Sequence, residues 1–146
     1  MALPASTRAP GRDDDAHDAA GAAAPSSPLG GPWRLVRSFG YAWAGLRSVV
    51  RTQPNFRIHL LAAALALAVG VVLRLSPPEL GLIVLTIAVV LAAEALNTAI
   101  EAVCDLVSPA YHPLVKRAKD AAAAGVLITA IGSVIVAVLV FGPHLR

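Results

Sequence analysis

The sequence has 146 residues, of which 57% are hydrophobic, and its mean hydropathy is +0.70. This length suits one domain, but the composition is too apolar for a soluble domain, so we expect a lipid bilayer to cover much of the surface. The net charge is +3, and the basic residues lie beside apolar segments. Few aromatic residues are available for stacking on nucleic-acid bases. We therefore expect no nucleic-acid partner, and contact with lipid headgroups or a nucleotide's phosphates is favoured.

The N-terminal region is rich in Ala, Pro, Ser and Gly and lacks the apolar periodicity of a folded core, which predicts a disordered segment over residues 1–32. The folded domain is predicted over residues 33–146. From Trp33 to Thr52, apolar residues recur at helical spacing with arginines to one side, which favours an amphipathic helix in the headgroup region. Arg47 falls near the apolar stripe, so an ordinary packed amphipathic helix is the alternative.

Three later segments are apolar and long enough to cross a membrane, over residues of about 58–75, 79–107 and 121–141. The first would be roughly 27 Å long at about 1.5 Å per residue, close to the hydrocarbon thickness. Ser76 and Glu79 have the spacing of a capping box and predict the start of the second helix. A polar run over residues 111–120 predicts a loop before the third. His59 is expected to contact headgroups or a neighbouring helix.

Lysine and arginine concentrate in two segments, one before the first span and one between the second and third. Three spans place these two segments on the same side of the membrane. The positive-inside rule makes that side cytoplasmic, which predicts a multi-pass protein of the cell membrane with a cytoplasmic N-terminus.

Four polar residues interrupt the second span at Glu94, Asn97, Glu101 and Asp105. At about 100° per residue their side chains share an arc of roughly 80°, so they form one polar stripe. A charged residue in a membrane costs about 2.5–3.5 kcal/mol on insertion scales, so a stripe of this kind needs ions, bases or water around it. Polar contacts between helices and a proton relay are the two structural alternatives.

Phosphoryl transfer needs oxygen ligands for Mg²⁺, cations for the phosphates and a base or positioning group for the attacking hydroxyl. The carboxylates of the second span, with Lys119 and Asp120 before the third, provide each of these residue types. Neither GxxxxGK[ST] nor GxGxxG is present in the sequence. A kinase of this sequence would therefore use another scaffold.

At these residues the sequence resembles the small prokaryotic membrane kinases that include diacylglycerol kinase and undecaprenol kinase. The resemblance covers residues of about 33–142. Its matching strings are residues 40–47, residues 55–59, the Glu-x-x-Asn-x-Ala-x-Glu block at 94–101 with Asp105, and Lys119-Asp120. It implies an all-α homotrimer in which each protomer has an amphipathic surface helix and three transmembrane helices, with active sites between subunits. It also implies transfer of the ATP γ-phosphate to a lipid hydroxyl with Mg²⁺.

By the same resemblance, Glu94 is the catalytic base and Glu101 is a Mg²⁺ ligand that also contacts ATP, with Asn97 and Asp105 in support. The other residues implied to contact the nucleotide are Arg34, Tyr41, Gln53, Tyr111, His112, Lys119 and Asp120. Gln53, implied as a second Mg²⁺ ligand, stands where the family usually has a metal-binding glutamate. A glutamine carbonyl can bind Mg²⁺ but brings no charge.

The residues 55–59 and 112–114 are more similar to the undecaprenol kinase branch, so undecaprenol is the expected lipid and diacylglycerol the alternative. Two further functions use the same polar stripe. A non-catalytic membrane oligomer, such as a proton-conducting channel, would not explain Lys119-Asp120. A degenerate kinase that binds nucleotide without turnover is suggested by Gln53.

Overall fold

The computed structural model describes residues 32–146, so the predicted disordered segment lies outside the described residues except for Pro32. The described residues form four α-helices and a terminal 3₁₀ turn: α1 (Pro32–Thr52), α2 (Pro54–Val72), α3 (Pro77–Val107), α4 (Pro113–Phe141) and the turn Gly142–Leu145. The chain divides into two units between Arg37 and Ser38. The first contributes the start of α1 to the described residues, and the second contains the rest of α1 and all of α2, α3 and α4. The predicted all-helical fold is confirmed.

Three of these segments, Pro54–Val72, Pro77–Val107 and Pro113–Leu145, are long and apolar enough to cross a membrane. Their large apolar side chains are mostly exposed, including Leu61, Leu85 and Leu139. In water, such a surface would oppose folding, whereas lipid tails cover it at no cost. The chain is therefore a membrane protein with three apolar helices, as predicted.

The predicted loop over residues 111–120 is wrong for most of its length, because α4 already begins at Pro113. Pro113 has no N–H to leave unpaired and its φ suits the first helical position. The Nδ1 atom of His112 accepts a hydrogen bond from the Leu114 N–H at 3.2 Å and caps the helix. Lys116, Lys119 and Asp120 therefore lie on the first turns of a helix rather than in a loop.

The first apolar helix is also displaced from its predicted bounds, since α2 begins at Pro54 and ends at Val72. It ends in a Schellman-type turn, in which the Leu75 N–H bonds to the Gly70 carbonyl at 3.0 Å and the Arg74 N–H to the Val71 carbonyl at 3.1 Å. Arg74 takes the left-handed conformation with φ of 54°. A Cβ on Gly70 would lie 3.1 Å from Leu75 Cδ1, so glycine permits this close turn.

α3 packs against both α2 and α4. Buried side chains between these helices include Phe56, Ile83, Val90 and Val140. We call the end where α2 and α4 begin and α3 finishes the site end, and the end around residues 73–79 and 142–146 the hairpin end. Lys119 of α4 contacts Asp105 of α3 at the site end, and His144 approaches Glu79 at the hairpin end. The three helices therefore run antiparallel to their neighbours along the chain.

Candidate active site

The polar stripe of α3 lines a groove near the site end with a volume of about 320 Å³. Glu94, Asn97 and Glu101 form its floor, since their spacing of three and four residues brings them to one face of the helix. We call it the acidic groove. Its walls come from the start of α2 and from small and aliphatic residues of α4: Asn55, Ile58, His59, Ala123, Val126, Leu127 and Ala130. The groove therefore places two carboxylates and two amides among apolar side chains.

Glu94 is the buried charged residue of the described chain, with 3% of its surface exposed. Its carboxylate Oε1 lies 3.4 Å from Nε2 of His59, which projects from α2. The Glu94 backbone carbonyl accepts a further hydrogen bond from the Thr98 hydroxyl at 2.9 Å. A buried carboxylate is costly unless it has a partner, and here the partner comes from a different helix.

Asn97 orients Glu101, because its Nδ2 donates a hydrogen bond to Glu101 Oε1 at 2.9 Å. The other end of the same amide, Asn97 Oδ1, is buried and has no hydrogen-bond partner among the described residues. Such an acceptor normally faces a donor, an ordered water or a cation. This part of the groove is thus suited to a positively charged or hydrated ligand.

The oxygens of this region fit a hard divalent cation. Carboxylate and amide oxygens are the ligands that Mg²⁺ takes, usually from one or two carboxylates with water and phosphate completing the shell. The described residues contain no cluster of three or more His, Cys, Asp and Glu side chains arranged for a metal ion.

A second groove, of about 380 Å³, lies at the start of α4 and the end of α3. We call it the basic groove. Lys119 Nζ lies 2.5 Å from Asp105 Oδ1 across it, and Lys116 pairs with Asp120 one helical turn away. Tyr111 and His112 also line it. Both lysines of the basic groove are therefore paired with carboxylates at the site end.

The two grooves together contain eight of the residues that the sequence indicates for the site: Glu94, Asn97, Glu101, Asp105, Tyr111, His112, Lys119 and Asp120. Tyr41 on α1 and Gln53, the residue before α2, line neither groove. Arg34 belongs to the other unit of the chain. Neither Tyr41 nor Gln53 is brought to the grooves within one chain.

His59, expected to contact headgroups or a neighbouring helix, contacts Glu94 of α3 and lines the acidic groove. The sequence gives only a weak indication of a site residue here, namely a titratable side chain at the point where an apolar span begins. Its partner could not be identified without the register between α2 and α3.

Comparison with known proteins identifies the family of this chain. The family model described as prokaryotic diacylglycerol kinase matches residues 40–141. The chain is 42% identical over 112 residues to the undecaprenol kinase of Bacillus subtilis (strain 168), covering 77% of this chain and 91% of that protein. It is 45% identical over 103 residues to the diacylglycerol kinase of Synechocystis, covering 70% and 59% of the two chains.

A third relative, the diacylglycerol kinase of Escherichia coli (strain K12), is 35% identical over 111 residues, or 76% of this chain and 91% of that protein. The family match includes both grooves and all three apolar helices. The chain therefore belongs to the prokaryotic diacylglycerol kinase family and is a membrane lipid kinase that uses ATP.

Proposed function

We propose that this kinase phosphorylates the hydroxyl of undecaprenol, with Glu94 as the general base. The observation that carries the proposal is the burial of the Glu94 carboxylate in a groove walled by apolar residues. A lipid alcohol can bring its hydroxyl to such a groove while its chain stays among the helices and lipid tails. A carboxylate kept away from bulk water can accept the hydroxyl proton at that point.

The lipid oxygen bonds to the γ-phosphorus as the bond to the bridging oxygen of ADP breaks, and the hydroxyl proton passes to Glu94. Lys119 lies in the basic groove next to Asp105, where its charge offsets that of the transferring phosphoryl group. Tyr111, His112 and Asp120 would contact the nucleotide, and Arg34 and Tyr41 would do so from α1.

Mg²⁺ would be held by Glu101, which Asn97 orients, and by Gln53. When bound, it neutralises charge on the β- and γ-phosphates. Asn97 keeps one Glu101 oxygen engaged, which leaves the other oxygen for the metal. Because Gln53 lines neither groove of its own chain, we propose that a neighbouring subunit of a homotrimer completes the set.

We place the site end on the cytoplasmic side, where ATP is present, with the N-terminus on the same side. Arg51 and Arg57 lie next to the start of α2, and Lys116 and Arg117 lie at the start of α4, so both basic segments meet at one end of the helices. α3 has 31 residues and is about 46 Å long, against a hydrocarbon thickness of about 30 Å. Its last turns would thus reach the headgroups, where water-soluble ATP meets the lipid.

We prefer undecaprenol to diacylglycerol as the substrate because, of two relatives that are each matched over 91% of their length, the B. subtilis undecaprenol kinase is 42% identical and the E. coli diacylglycerol kinase 35%. The test is a kinase assay with purified protein in detergent, radiolabelled ATP and Mg²⁺, in which the two lipids are compared at equal mole fraction. We expect faster turnover with undecaprenol. Faster turnover with diacylglycerol would reverse the assignment, and nucleotide binding without turnover of either lipid would favour a scaffold.

A further inference from the structure

His59 lines two cavities that differ in polarity. On one side it lines the acidic groove with Glu94 and Glu101. On the other it lines an apolar cavity of about 230 Å³ between α2, α3 and α4, whose walls include Ala63, Ile83 and Val90. The imidazole therefore belongs to the lining of both cavities.

The imidazole is also the side chain that meets the Glu94 carboxylate. α4 contributes only alanine, valine and leucine to this groove and so offers no donor. Glu101 carries a like charge and is engaged by Asn97. A glutamate has several rotatable bonds, and without a donor its carboxylate would sample orientations in which neither oxygen faces the substrate.

We propose that His59 is a positioning residue for the lipid kinase reaction, which holds the Glu94 carboxylate through a hydrogen bond from Nε2–H. This inference rests on the proposed role of Glu94 as base. The distance of 3.4 Å between Nε2 and Oε1 is longer than an ideal N–H···O bond, and such contacts commonly shorten when substrate is bound. His59 donates in this geometry as the Nε2–H tautomer or as imidazolium.

A residue with this role affects the chemical step rather than nucleotide binding. His59 does not line the basic groove, where Lys119 and Asp120 lie. Loss of the donor should therefore lower kcat with the lipid substrate and leave the KM for ATP nearly unchanged. A residue that merely supports packing would instead lower the folded fraction without changing kcat per folded molecule.

The experiment compares His59→Leu with His59→Gln in the full-length protein, assayed with ATP, Mg²⁺ and undecaprenol or diacylglycerol. Leucine fills the space without a donor, whereas the glutamine amide supplies one. We expect His59→Leu to lower kcat on the order of 10- to 100-fold, because a misplaced catalytic group costs that much. His59→Gln should recover most of the loss, and the KM for ATP should stay within about twofold of the unaltered protein.

The matched control is His144→Leu. His144 also lies near a glutamate of α3, at 3.8 Å from Glu79, but at the hairpin end. Its kcat should equal that of the unaltered protein. The double variant Glu94→Gln/His59→Leu should be no slower than Glu94→Gln alone, because His59 acts through Glu94.

Undiminished kcat in His59→Leu, or equal losses in the leucine and glutamine variants, would overturn the positioning role. If His59→Leu does not assemble, His59→Ala takes its place in the same comparison. Failure of the proposed role of Glu94 gives a different result, because Glu94→Gln would then retain turnover whatever the effect of His59→Leu.

Discussion

The two ends of α3 each pair a glutamate with a histidine from another element, yet the two pairs have different environments. Glu79 at the hairpin end accepts hydrogen bonds from the Ser76 N–H at 2.8 Å and the Ser76 hydroxyl at 2.5 Å, and 33% of its side chain is exposed. Glu94 near the site end has 4% of its side chain exposed and faces His59. We infer from this difference that the Glu79 carboxylate, already bonded at a helix start, stabilises the helix, and we propose that the buried Glu94 carboxylate, which faces a groove, takes part in the chemistry.

Removing the charge at each end gives the largest expected difference. We predict that Glu94→Gln lowers kcat by about 10²- to 10⁴-fold, since an amide cannot accept the hydroxyl proton. The measurement is lipid phosphorylation by purified protein, normalised to the folded fraction from gel filtration. Glu79→Gln is the matched control, with turnover within about twofold of the unaltered protein. Retained turnover in Glu94→Gln would rule out Glu94 as the base and remove the functional contrast between the ends.

Removing the positive charge of Lys119 at the site end should have the next largest effect. Lys119→Met should lower kcat/KM for ATP by about 100-fold, because it removes a positive charge from the transferring phosphoryl group and leaves Asp105 unpaired. Arg117→Met removes a neighbouring, exposed positive charge and serves as control. Steady-state kinetics with varied ATP distinguish the two variants. Equal losses would mean that general positive charge, rather than Lys119, supports the reaction.

A negative charge added at the site end should have a smaller effect, and it should strengthen Mg²⁺ binding instead of lowering turnover. If Gln53 is a metal ligand, Gln53→Glu adds a negative charge to the site and should lower the half-saturating Mg²⁺ concentration several-fold. Gln53→Ala should raise it. Both are measured by titrating Mg²⁺ at saturating ATP and lipid. An unchanged Mg²⁺ dependence in both variants would exclude Gln53 from the metal site.

The smallest effect is expected at the hairpin end and concerns stability rather than turnover. Glu79→Ala removes both hydrogen bonds to Ser76 and should lower the free energy of unfolding slightly, as loss of a helix cap does. Thermal unfolding in detergent measures it, with kcat of the folded protein as the second readout. A fall in kcat at unchanged stability would mean that the hairpin end takes part in catalysis.

The sequence predicts the parts of this molecule that depend on local spacing. Apolar runs of spanning length give the three membrane helices, and offsets along one helix give the shared face of Glu94, Asn97 and Glu101. The residue types also predict which groups lie in the basic groove, because its members are adjacent in the chain around the α3–α4 connection.

Two features depend on information that hydropathy lacks. The polar run at 113–120 is helical because Pro113 and the His112 side chain start a helix there, and polarity alone does not distinguish an exposed helical turn from a loop. The pairing of His59 with Glu94 depends on how far α2 and α3 slide past each other. That register is decided by tertiary packing and by the turn between the helices.

The Schellman-type turn after α2 therefore has a consequence at the opposite end of the helices. Its hydrogen bonds to the Gly70 and Val71 carbonyls fix the conformation of the connection. The turn therefore sets how α3 is rotated about its axis and shifted along it relative to α2. One extra residue between Leu73 and Ser76 would have to be absorbed by distorting the turn, or α3 would rotate by about 100° and advance by about 1.5 Å. In the second case Glu94 would leave His59, although no residue of either groove had changed.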